Sequence, residues 1–166
     1  MTVNSIPRSY SPLDNPPSRF AHRPFYAETL TLLRGVRDSD LETLSRLCDD
    51  DYGIFDVDPS GQPRVIRTRV EWERWFHEVF ATLDALNATI DSEILSYKAT
   101  RDDQLSYSVV EFRQFLTTGE HTATVDCIAT IIWKQTNRGW REARWHASVI
   151  SSDVPDDVQR TDRRAA

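Results

Sequence analysis

The chain has 166 residues, a formal charge of −6, 39% hydrophobic and 28% charged residues. That is the balance of one soluble domain, large enough to bury a core without metals or disulfides. The acidic excess argues against nucleic acid or an anionic membrane as partner, because both are bound through basic patches. Cys127–Trp133, an apolar stretch broken by Thr130, is far too short to cross a bilayer. Residues 1–20 hold no apolar leader core, and the isolated Cys48 and Cys127 form no CxxC motif. A cytoplasmic protein is expected.

Residues 1–21 hold Pro7, Pro12, Pro16 and Pro17 among Ser and Asn, which resists regular structure. They read as a flexible arm, or as one that packs on a partner subunit. Pro24 suits the first turn of a helix in which Phe25, Leu30, Leu33 and Val36 recur at helical spacing. "RDSD" (37–40) ends it, and Ser39 or Asp40 can cap a second helix striped by Leu41, Leu44, Leu47 and Cys48. A short strand at 52–57 and a turn at 58–63 follow. Thr68 and Glu71 make a capping box for a third helix. Its stripe is Trp72, Trp75, Phe76, Val79, Phe80 and Leu83.

From residue 88 the period becomes two. Strands are expected over 88–100, 105–117, 121–136 and 140–151, joined by short polar turns. Helices followed by an antiparallel meander make an α+β domain, with the helices on one face of a curved sheet. The domain spans 22–151, and 152–166 form a charged tail.

In this order, "RDSDLETLSRLCDDD" (37–51), "VEWERWF" (70–76) and "WREARWHAS" (140–148) resemble the nuclear transport factor 2-like (NTF2-like) superfamily. That superfamily includes SnoaL-like polyketide cyclases and ketosteroid isomerases. Within it, the chain is most similar to the association domain of calcium/calmodulin-dependent protein kinase II and its bacterial relatives. The resemblance implies a cone: three N-terminal helices packed on a strongly curved, mostly antiparallel sheet, around a cavity. Such a fold hosts both enzymes and assembly modules, so it does not fix function.

On strict alternation, Trp140, Glu142, Arg144, His146 and Ser148 share one face of the last strand, and Arg141, Ala143, Trp145, Ala147 and Val149 the other, which is almost all apolar. Local pattern alone sends the polar face to solvent. The resemblance reverses this, turning the polar face into the cavity and the apolar face toward a second subunit. Glu111, on a face with Leu105, Tyr107, Val109, Arg113 and Phe115, joins the pocket in this reading. There it acts as an acid or base, or forms a cross-strand pair with Arg144.

A ketosteroid isomerase-like reading maps its base onto Asp58, but Leu32 and Ala129 stand where its oxyanion partners belong. The simpler reading of Asp-Pro-x-Gly is a turn. His22, His77, His121 and His146 have no metal-ligand spacing, so neither metal nor cofactor is expected. Neither cysteine has a paired base.

The expected protein is therefore a homodimer with one cavity per subunit for a small organic ligand. As an isomerase, dehydratase or cyclase-type enzyme it would use Glu111 and His146 as acid/base groups and Arg144 to hold an anionic or carbonyl group. Trp72, Trp75, Phe76, Tyr107 and Trp133 would form the walls. The alternative is a non-catalytic oligomerisation or ligand-binding module in which the polar groups only satisfy each other.

Overall fold

Thr68 caps the third helix as its spacing from Glu71 predicts, but the Glu71 carboxylate reaches one residue further back than a capping box requires, to Arg67. In the computed structural model of the chain, Glu71 N–H donates to Thr68 Oγ1 at 3.2 Å, while the Glu71 carboxylate accepts from Arg67 N–H at 2.8 Å. The structure describes residues 10–57, 63–103 and 105–153. Helix α3 runs Arg69–Ala85, after α1 (Tyr26–Arg37) and α2 (Leu41–Leu47). Asp40 caps α2, accepting from Thr43 N–H at 3.0 Å. Gly35 lets the two short helices approach, since a Cβ there would lie 2.8 Å from Leu44 Cδ2.

The described residues form six strands, two before α3 and four after it: β1 (Cys48–Val57), β2 (Pro63–Ile66), β3 (Ala88–Thr100), β4 (Tyr107–Thr118), β5 (His121–Thr136) and β6 (Gly139–Asp153). They form one sheet in the order β2-β1-β6-β5-β4-β3. Among the described residues only β1 and β6 pair in parallel; every other pair is antiparallel. The meander starts at the far edge with β3 and returns strand by strand until β6 lies beside β1. Residues 58–62, including Asp58, lie outside the described residues.

The expected elements stand, with three differences. Cys48 begins β1 instead of closing the α2 stripe, and β2 adds a short edge strand. Residues 10–21 are not a loose arm. They make two 3-10 turns, Pro12–Asp14 and Ser18–Phe20, and Leu13 is 1% exposed. Arg34 donates to Leu13 O at 2.6 Å, and Arg37 pairs with Asp14 at 2.9 Å. Proline denies this segment a long helix but allows short turns that seat one leucine in the core. The packed unit therefore begins before residue 22.

The helices cover one face of the sheet. Leu13, Tyr26, Leu30 and Leu33 meet Ile94, Tyr97, Val110 and Phe112 in one cluster. Phe25, Leu44, Trp72 and Phe76 meet Ile131 and Trp133 in the other. Each large apolar side chain withdrawn from water contributes about 1.5–3 kcal/mol. Along β5 the inner side is continuous: Cys127, Ala129, Ile131 and Trp133 are all buried. That inner row fixes which residues of β6 face the helices.

Candidate functional site around Glu142

Ala147 pairs with Ala129 and Trp145 with Ile131, so both face the helices. Strict alternation would next send Ala143 inward and Glu142 outward. Instead Ile132 pairs with Arg144 and Trp133 with Glu142, leaving Ala143 as an extra residue. This β-bulge restores Glu142 and Trp140 to the inner side. Arg144 and His146, beyond it, lie on the outer side. The polar face of "WREARWHAS" is thus divided, and its two parts point in opposite directions.

Glu142 is 1% exposed. It stands across from Trp133 on one side and in register with Cys48 on the other. Trp133 is fixed from two directions. Its indole N–H donates to Ser108 Oγ at 3.0 Å, and Phe25 stacks on its ring at 5.0 Å and 12°. Trp140 meets Phe25 edge-on at 5.1 Å. Burial, and then the charge of nearby Glu142, push the Cys48 thiol far above its ordinary pKa. Cys48 is a protonated, buried thiol and has no thiolate to offer as a nucleophile. The buried indole N–H of Trp145 meets no acceptor among the described residues.

Beside this group, Asp49 is 5% exposed and pairs with Lys134 at 2.8 Å. Burial works against its ionisation. The Lys134 ammonium and the N–H groups of Asp50 and Asp51 outweigh it and hold the carboxyl below its usual value. Asp49 is therefore a structural anion.

The expected convergence of Glu111, Arg144 and His146 in one cavity is corrected. Glu111 pairs with Ile128, which pairs with Ser148; Arg144 pairs with Ile132, which pairs with Tyr107. Glu111 and Arg144 therefore lie two strands apart and four residues out of step, about 13 Å along the strand direction. Arg144 turns instead to Asp51, donating to its backbone oxygen and lying 3.5 Å from its carboxylate. Arg144 and His146 are exposed, and Glu111 is half-buried on the same outer side. Tyr107, expected as a cavity wall, is also on this outer side and half-buried.

The remaining expected wall residues fall as follows. Trp72 and Phe76 are buried on the inner side of α3, at 0% and 1% exposure, and Trp133 joins them. Trp75 packs edge-on against Phe76 at 4.7 Å but lies half-buried. It lines a shallow surface cleft of about 250 Å³ with Arg64, Glu71 and Glu78. Leu32 and Ala129 are buried apolar residues, so neither supplies an oxyanion partner of the ketosteroid isomerase kind. Among the described residues no three His, Cys, Asp or Glu side chains gather to hold a metal, and no helix is long and apolar enough to cross a membrane.

Glu142 escapes a reading based on alternation, but the sequence carries one sign of it. Trp140 and Trp145 are five residues apart, an odd spacing. Two inward tryptophans on one strand at that spacing require an extra residue between them.

Solved structures repeat this architecture. A candidate dehydratase of the NTF2-like family from Streptomyces avermitilis superposes with a TM-score of 0.63 at 19% identity, covering 75% of this chain and 92% of that one. A candidate aromatic ring hydroxylase from Novosphingobium aromaticivorans gives 0.62 at 13% identity, over 78% and 89%. A candidate calcium/calmodulin-dependent protein kinase II association domain from Xanthomonas campestris gives 0.61 at 17%, over 75% and 84%. At such identities the likeness is one of fold. No curated protein matches the chain. The profile of the SnoaL-like domain family matches residues 30–152, from within α1 to the end of β6, and the chain belongs to that family and has the NTF2-like fold.

Proposed function

We propose that the protein binds a small, partly apolar organic molecule on the helix-facing side of its sheet and uses the Glu142 carboxyl as an acid/base group there. One observation carries this reading: a bulge at Ala143 places a carboxyl at 1% exposure among aromatic side chains. An ionisable group in such a place costs stability, and bulges recur beside functional sites. A carboxyl kept from water can hold a proton for, or take one from, a carbon or oxygen brought against it. Trp133 and Trp72 are the apolar walls in this scheme, and the Trp145 indole N–H is a donor for a carbonyl or hydroxyl oxygen. Isomerisation, dehydration and cyclisation each turn on a proton transfer of this kind. The dehydratase assignment of one fold neighbour agrees with this class.

In this reading Glu111, Arg144, His146 and Tyr107 serve the outer side of the sheet. A homodimer formed through that side is its second element, supported by Val109, Ile128 and Ile132 lying only half-buried around them, on the side of the sheet away from the helices. Replacing Ile132 with Lys should convert a sedimenting dimer to a monomer. A wild-type monomer at all concentrations contradicts the dimer.

The test of the main reading is a screen of hydroxy-carbonyl compounds for dehydration or isomerisation with wild type and Glu142→Gln. Wild-type turnover should fall by about a hundredfold or more in the variant, with the fold intact by circular dichroism. Turnover that survives Glu142→Gln overturns the assignment, as does a screen in which no compound binds or reacts.

A further inference from the structure

At the β5–β6 end of the sheet three aromatic rings meet at the start of α1. Phe25 lies flat on Trp133, and its ring meets Trp140 edge-on. Phe25 reaches this position with φ 58° and ψ 11°, the left-handed region that bulky side chains rarely adopt. Such strain persists only where the surroundings enforce it, and it gathers at binding and catalytic sites. Glu142 is two positions on from Trp140 on the inner side and directly across from Trp133, so a buried carboxyl neighbours both indoles. Finally, a cation already sits on this group. The guanidinium carbon of exposed Arg101 lies 5.2 Å from the Trp140 ring centroid.

Aromatic faces backed by a carboxylate attract organic cations, because ring quadrupoles and the anion act in the same direction. We propose that the half-buried Trp140 ring, with Glu142 beside it, binds the ammonium head of a small organic cation that displaces the Arg101 guanidinium, while Phe25 and Trp133, buried and stacked on each other, hold that ring in place. The proposal deepens the reading of Glu142 given above and rests on it, naming the charge class of the ligand. Arg101 acts as a resident competitor: its side chain holds the ring face while the site is empty and swings into solvent when a ligand enters.

Calorimetric titration of the full chain with choline, and with the neutral isostere carrying a tert-butyl group in place of trimethylammonium, tests it. Choline should bind about tenfold more tightly than the isostere. Arg101→Ala should tighten choline binding about threefold by removing the competitor, an effect that a merely structural cation–π contact would not produce. Trp140→Leu should abolish binding. If that variant fails to fold, Arg101→Ala, at an exposed position, still decides. Equal binding of the isostere, no binding of choline, or weaker binding in Arg101→Ala overturns the proposal. Loss of turnover in Glu142→Gln together with absent choline binding leaves the acid/base reading standing and removes this one.

Discussion

The two halves of β6 carry similar side chains and use them in opposite ways. Before the bulge, Trp140 and Glu142 point under the helices, and Glu142 is withdrawn from water. After it, Arg144 and His146 point away from the helices and are exposed, while Trp145 and Ala147 take the inner side. One inserted residue separates a buried carboxyl from an exposed guanidinium two positions later. Polarity does not decide which residues of a strand enter a site. Register does, and register is set by pairing with β5.

The comparison predicts a steep contrast in stability. Trp133→Ala, on the inner side opposite Glu142, removes a ring buried at 3% exposure and its stack with Phe25. It should cost about 3–5 kcal/mol in chemical denaturation. Arg144→Ala and His146→Ala, on the outer side, should each stay within about 0.5 kcal/mol when the protein is dilute. A costly His146→Ala, or a cheap Trp133→Ala, would break the division of faces at its two ends.

Much of the fold was legible in the chain. Period-two alternation located β3 to β6 within a few residues, because long hairpins with short polar turns leave little freedom. The capping box at Thr68 and Glu71 located α3. Three features were not legible, each for a physical reason. Leu13 anchors the N-terminal segment through tertiary contacts with α1 and β3 that proline-rich composition cannot report. Cys48 belongs to a strand because β1 pairs with β6 from Cys48 onward, a contact far away in sequence. And Glu142 was grouped with Arg144 and His146 because alternation, carried unbroken along β6, has no means of counting a bulge. The resemblance to the kinase association domain then turned the whole polar face inward, although its two parts point apart. The fold followed from local pattern; the site depended on one residue of register.

The most direct test of that register is thiol accessibility in otherwise identical Glu142→Cys and Arg144→Cys variants, with the native Cys48 and Cys127 both buried. At dilutions where subunits are apart, Arg144→Cys should react with a thiol reagent in the native state. Glu142→Cys should react only as the protein unfolds. Equal native-state reactivity at the two positions would place Glu142 on the outer side with Arg144 and contradict the account.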